Sequence, residues 1–365
     1  LHGELGWRHN FTERHFIDFS ASYDNWKMDE DNVYQDSTTF YHPDGTVDDR
    51  EHTESYQLRP MHVNDKTWEL KLDYENPITE HFTLQTGYQG KFSRQANPQR
   101  SYVDANSWSG KDLVEDLSSY NYFSYRNDIH ALYATATTQW GKWGVMGGLR
   151  GEYWRVRTES RSWEQERDPS LRDAPYKKDF FQLFPSLFLS YQLSESQQLQ
   201  VNYTRRLRRP WGGQYNPFRN TSDATMVSFG NPELTPEYSH SFSLNYLQTW
   251  TEHSLLLSAY YRPTNDVIEH ITYKSATDGM MYQTHFNVAK SLSTGLEVTL
   301  KDKFFRILDL STSANFYYFK LHGYQYFIDG QTIDDPGNDN FTWNVRTQAS
   351  LMLPYGFSLQ ATGNY

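Results

Sequence analysis

The chain has 365 residues, a formal charge of -11, no cysteine and a mean hydropathy of -0.82. It holds no run of about 18 apolar residues, which excludes a transmembrane helix, and its acidic balance argues against nucleic acid as the main partner. A membrane β-barrel survives both tests, because only every second residue of such a strand faces lipid.

The 28 tyrosines and 11 tryptophans are many for a soluble domain. Such side chains gather at membrane interfaces, where an apolar ring and a polar tip are both satisfied. The lack of cysteine fits export through an oxidising compartment. No charged segment followed by an apolar signal region opens the chain at Leu1, so the sequence reads as a mature or trimmed piece of something longer.

In chain order, seven short turn candidates appear near Asn10–His15, Glu75–Glu80, Gly141–Lys142, Ser194–Gln197, Trp250–His253, Asp302–Arg306 and Pro354–Gly356. The strands leaving them alternate with period two. Ile17, Phe19, Ala21 and Tyr23 share one face, as do Phe82, Leu84, Thr86 and Tyr88, then Leu199, Val201 and Tyr203. Leu255, Leu257, Ala259 and Tyr261 follow, then Leu308 to Tyr318 and Phe357 to Tyr365. The opposite face is small and polar: Asp18, Ser20 and Ser22; Thr83, Gln85 and Gly87; Asp309, Ser311, Ser313 and Asn315.

A dry core could not satisfy such a face, whereas a wet or polar-plugged lumen can. Each crossing needs about 9–11 tilted residues, so seven turns imply fourteen principal crossings. The expected fold is therefore an all-β, antiparallel transmembrane β-barrel with short periplasmic turns and long extracellular loops. Those loops are expected over Trp26–Leu58, Gln95–Tyr120, Thr158–Lys178, Arg205–Pro236, Pro263–His285 and Leu321–Asn340.

Three ordered motifs carry a resemblance. Gly230-Asn231-Pro232-Glu233-Leu234-Thr235-Pro236-Glu237 resembles the Asn-Pro-x-Leu-x-Pro-Glu motif that opens a barrel strand in TonB-dependent outer-membrane receptors. Asn287-Val288-Ala289-Lys290, with Ser293, Gly295, Leu296 and Glu297, is similar to a second barrel pattern of that family. Tyr203-Thr204-Arg205-Arg206, with Arg209-Pro210 and Asn216-Pro217-Phe218, resembles the version abundant in Bacteroidetes.

The resemblance implies a bacterial outer-membrane importer driven by the TonB complex, with a barrel of about 22 strands closed by an N-terminal plug. It implies a scarce solute as cargo: an iron chelate, vitamin, glycan or peptide. A surface lipoprotein is a further partner to consider. Residues 1–365 would be the barrel portion, with the plug and some strands outside them. A complete fourteen-strand channel is the alternative.

Strand parity places Arg206 and Arg208 on the lumen side and Arg205 and Arg209 outward at the rim. The inward pair would bind an anionic solute or plug carboxylates, through the bidentate geometry of guanidinium. The outward pair would grip lipopolysaccharide phosphates or simply be solvated. Glu237 and Glu297 have lumen parity and would pair with plug arginines or stand in a water-filled wall.

Trp211, Tyr215, Phe218, Tyr324, Tyr326 and Phe327 would stack on a sugar or aromatic chelator, or pack the loops. The acidic run Asp334 to Asn340 lacks the spacing of a calcium loop. No metal site or cofactor is expected. No zinc-protease, nucleophile-elbow or phosphate-loop motif occurs, so an enzyme is not expected. Three functions remain in view: TonB-coupled importer, passive porin-like channel, and barrel-anchored surface adhesion or assembly protein.

Overall fold

The computed structural model describes residues 1–365 except Asn106, Ser222, Ala224, Thr225 and Arg306, and only the backbone of residues 49–52. In chain order its strands are β1 (His2–Asn10), β2 (Phe16–Tyr41), β3 (Val47–Thr79), β4 (Phe82–Gln99), β5 (Tyr102–Asp104), β6 (Val114–Glu115), β7 (Asn121–Trp140), β8 (Trp143–Arg161) and β9 (Tyr176–Ser194). They continue with β10 (Gln197–Arg208), β11 (Met226–Ser228), β12 (Glu237–Thr249), β13 (His253–Lys274), β14 (Met281–Phe304), β15 (Leu308–Ile328), β16 (Gln331–Met352) and β17 (Ser358–Asn364). One-turn helices α1 (Trp163–Arg167) and α2 (Gly212–Tyr215) lie in connections.

Three strands, β5, β6 and β11, are short; the other fourteen are the crossings expected from the turn count. Each long strand pairs antiparallel with the next, from β1 to β17. All seven short connections fall where turn residues put them, although Arg306 in one of them lies outside the described residues. Among the described residues, neither β1 nor β17 has a partner along its outer edge.

The two faces of the wall separate as the alternation requires. Leu132, Leu149, Phe181, Leu183, Val201 and Leu244 point outward and are exposed, Leu132 by 68% and Phe181 by 65%. In a soluble sandwich a second layer would cover them. Trp140 and Trp143 mark the short-turn end of the hydrophobic band, and both are exposed.

On the inner face close approach needs glycine. A Cβ on Gly295 would lie 2.5 Å from the Phe316 carbonyl oxygen and 2.7 Å from the Tyr260 hydroxyl, because Tyr260 lies directly opposite it in register.

One expectation changes. Trp26–Leu58, Pro263–His285 and Leu321–Asn340 are largely not irregular loops; β2–β3, β13–β14 and β15–β16 stay paired as long hairpins. Strand β3 runs for 33 residues and β2 for 26, far beyond the ~10 that cross lipid. Continued pairing satisfies the backbone groups that face each other across each hairpin. The β15–β16 hairpin closes on Asp329-Gly330, with φ of 52° and 74°, the left-handed pair that a two-residue turn demands. The acidic run from Asp334 to Asn340 lies within β16.

Candidate functional site: a connection folded onto the barrel wall

The β10–β12 connection does not project outward. Strand β10 ends at Arg208, and Arg209 then turns to the inside, where its guanidinium pairs with Glu152 and sits 5.1 Å over the Trp154 ring. Buried Pro210 follows, and α2 delivers Tyr215 against the wall. Tyr215 is fully buried, stacks on Tyr125 with ring centroids 5.9 Å apart, and donates from its hydroxyl to the Leu234 carbonyl. Burial pushes its phenol well above the ordinary value, so it stays a donor.

Tyr215 and Leu234 join Phe123, Tyr125, Ile129, Trp154, Val156 and Ile268 in one apolar cluster on the lumen side. The connection is stitched to itself at Gly230, whose N–H donates to the Asn216 carbonyl at 2.7 Å, and at Asn231, whose N–H donates to Gln214 at 2.7 Å.

The two family-like motifs clamp each other. Asn231 accepts the Glu233 N–H at 2.9 Å and donates to the His285 carbonyl at 3.1 Å. Asn287 accepts the Thr235 N–H at 2.8 Å and donates to the carbonyls of Thr235 and Asp266 at 2.9 and 2.7 Å. Asp266 has φ of 56°, at a bulge in β13, and the Asn287 amide helps hold that strained residue. Glu237 is buried; it accepts the Arg208 Nε at 2.7 Å, a second bond from the same guanidinium, and the Ile268 N–H at 2.8 Å.

A polar ladder runs along the inner wall to this connection. Glu69 accepts from Gln89 at 2.5 Å, Gln89 accepts from Arg150 at 2.9 Å, and Arg150 donates to Glu152 at 2.6 Å. Glu152 then holds Arg209. Nearer the short turns, Lys71 pairs with Asp73 at 2.8 Å and Tyr133 donates to Asp73.

Several of the candidate side chains have partners within the chain. Arg209 is not outward, because alternation ends with β10; its partner is Glu152 inside the barrel. Arg205 does face outward, but it donates to the Leu183 carbonyl at 3.0 Å and to Gln182 at 3.3 Å, serving the edge of β9 that β10 leaves unpaired beyond Ser186. Glu237 pairs with Arg208 of its own barrel, while the Arg208 side chain stays 60% exposed. Tyr215 is interior packing.

The remaining candidates are spread out. Arg206 is exposed on the lumen side opposite Ser239, and Glu297 is exposed there too, without an ion pair among the described residues. Trp211 and Phe327 are exposed, at 66% and 69%, while Phe218 is half-buried. Tyr324 donates to Asp335 at 3.3 Å, and Tyr326 packs on Phe286 with centroids 4.2 Å apart. No ring contact among the described residues joins the Trp211–Phe218 group to the Tyr324–Phe327 group. No group of three metal-ligating side chains occurs among the described residues.

Sequence reasoning missed Glu152, Trp154 and the clamping role of Asn287. The available signal was Trp154 and Val156 on lumen parity, where other strands carry small polar residues.

Comparison with solved structures gives the same fold. The siderophore receptor PiuA from Acinetobacter baumannii aligns with a TM-score of 0.64 at 12% identity, over 100% of this chain and 54% of that one. The ferric-catecholate import receptor Fiu from E. coli K12 gives 0.60 at 12% identity, over 100% and 53%. The ferric yersiniabactin uptake receptor FyuA from Yersinia pestis gives 0.55 at 10% identity, over 99% and 59%. The chain thus spans little more than half the length of these receptors. No curated protein sequence matches it. The model of the outer membrane protein beta-barrel family matches residues 9–365, and the chain belongs to that family of the bacterial outer membrane.

Proposed function

We propose that this chain is the greater part of the barrel wall of a TonB-coupled importer, which binds a scarce solute at its extracellular end and releases it past a plug. The observation that carries this reading is an uncovered polar lumen. Asp18, Lys71, Asp73, Arg206 and Glu297 line an inner face that the chain itself leaves open below the β10–β12 connection. Charged groups on a concave wall suit docking against a second polar body better than free diffusion of apolar molecules.

A plug and further strands from outside residues 1–365 would occupy that lumen and pair with the outer edges of β1 and β17. Glu297, which makes no ion pair among the described residues, would meet a plug arginine. Arg206, Arg208, Trp211, Phe218 and Phe327 keep exposed or half-exposed side chains for a solute. The three receptors named above are a siderophore receptor, a ferric-catecholate import receptor and a ferric yersiniabactin uptake receptor, which makes ferric siderophores the first class to try; vitamins, glycans and peptides come next.

The test is growth of a deletion strain on limiting ferric siderophores, cobalamin or single glycans, with the gene restored in cells with and without active TonB. Restored growth on one solute that needs TonB supports the importer. Growth independent of TonB, with steady ion conductance of the purified protein, would identify a passive channel instead. Loss of surface attachment with unchanged uptake would identify an adhesion protein.

A further inference from the structure

Five cations lie side by side on the lipid-facing surface. Lys66 of β3 is directly opposite Arg94 of β4. Arg94 is opposite Arg126 of β7, Arg126 is opposite Arg157 of β8, and Arg157 is opposite Lys177 of β9. Opposed residues in an antiparallel ladder share a face, and neighbouring strands are about 4.8 Å apart, so the row spans roughly 19 Å. It shares the outward parity of Trp68, Phe92, Tyr153 and Phe181, and all five side chains are exposed.

Like charges in directly opposed positions repel, and nothing in the fold relieves four of these five. Arg126 donates to Asp128 at 2.7 Å; Lys66, Arg94, Arg157 and Lys177 make no ion pair among the described residues. The carboxylates of the flanking rows are already engaged. Asp128 holds Arg126, Asp179 holds Arg155 at 2.7 Å, and Glu159 lies 3.0 Å from Arg161. The next row toward the periplasm places Arg155 between Asp128 and Asp179 and so neutralises most of its own charge. Between the two rows is a cleft of about 310 Å³ lined by Arg126, Asp128, Arg155, Arg157, Lys177 and Asp179, with four cations against two acids.

Depth decides what fills it. The row lies just beyond the outward-facing aromatic residues, about 12 to 17 residues from the short periplasmic turns; at ~2.3 Å of height per tilted residue this is the extracellular headgroup level. Anions at that level of the outer wall are headgroup phosphates, which guanidinium groups bind with two parallel hydrogen bonds.

We propose that this row binds the phosphate groups of an acidic glycolipid of the outer leaflet, holding β3 to β9 at a fixed depth. The site is distinct from Arg205 and Arg209, whose side chains are committed to the protein.

The test uses the complete receptor in detergent, with native mass spectrometry and diphosphoryl lipid A as the probe. Arg157→Gln combined with Lys177→Gln should weaken binding at least tenfold. Lys142→Gln combined with Lys303→Gln, which removes two cations near the periplasmic turns, should change it less than twofold. Arg157→Lys should restore most of the loss. Lipid A stripped of phosphates should bind no better than phosphatidylcholine, and millimolar inorganic phosphate should not compete. Heat-modified gel mobility checks that each variant is a folded barrel. Equal losses in the two double variants, undiminished binding of dephosphorylated lipid A, or displacement by free phosphate would each overturn the proposal.

Discussion

The inner faces of two walls differ. On β7, β8 and β9 the lumen side turns apolar toward the extracellular end, where Ile129, Trp154, Val156 and Phe180 meet the inward-folded β10–β12 connection. On β14, β15 and β16 the equivalent face is Glu297, Thr299, Ser311, Ser313, Asn315 and Gln348, all exposed or half-exposed. The difference teaches that inward parity does not by itself mean contact with water. Where the chain supplies its own cover, the lumen face is built like a core; where it does not, the face stays hydrophilic.

Truncating the apolar wall should break this contrast most strongly. Trp154→Ala removes a fully buried ring and the surface on which Arg209 lies, and should cost about 3–5 kcal/mol. Ser313→Ala on the polar wall should stay within ~0.5 kcal/mol. Thermal unfolding in detergent, with limited proteolysis of the β10–β12 connection, measures both. Equal effects on the two walls would show that the connection is not held by this packing.

Glu237 comes second. Glu237→Ala leaves the Ile268 N–H without its acceptor, but Arg208 is 60% exposed and regains water, so the expected loss is about 1.5–3 kcal/mol. Hydrogen exchange at the Ile268 amide should rise with it, and unchanged protection there would contradict the clamp. A third pair sharpens the comparison with the lipid face. Gly295→Val drives a side chain into Tyr260 and the Phe316 carbonyl and should cost about 1–3 kcal/mol, whereas Gly147→Val meets nothing within 4 Å and should be close to neutral.

The crossings were legible because their signals are local. Period-two alternation and turn residues specify a strand and its reversal within about ten positions, so the fourteen long strands and seven short connections could be read directly. The extracellular hairpins were partly legible: Asp329-Gly330 is a strong turn signal, yet the surrounding polar residues read as loop. The packed connection was legible as a motif and opaque as a mechanism. Arg209 and Glu152 are 57 positions apart, and Asn287 reaches Thr235 across 52. Strand parity carried one residue past the end of β10 puts Arg209 outward, but alternation stops at Arg208 and Arg209 turns in to Glu152.

The smallest effect concerns the β13–β14 hairpin above the bulge. His270 and His285 are directly opposed there, with Nε2 atoms 3.0 Å apart and ring centroids 4.0 Å apart. A hydrogen bond between two imidazoles needs one nitrogen to accept, so at least one ring must be neutral. Burial first, and the neighbouring His270 second, lower the His285 value to about 4 from an ordinary 6.5. The open hairpin therefore binds a proton before the closed one does. The stabilisation is fully present above about pH 6.5, declines as pH falls toward 4, and changes no further below that. Hydrogen exchange of the Thr272 and Gln283 amides, corrected for intrinsic rates, should accelerate severalfold between pH 7 and pH 4.5, while the β15–β16 ladder at Ser313 does not respond. His285→Gln should flatten the profile. A hairpin whose protection is already independent of pH in the unsubstituted protein would show that the two rings do not share a proton.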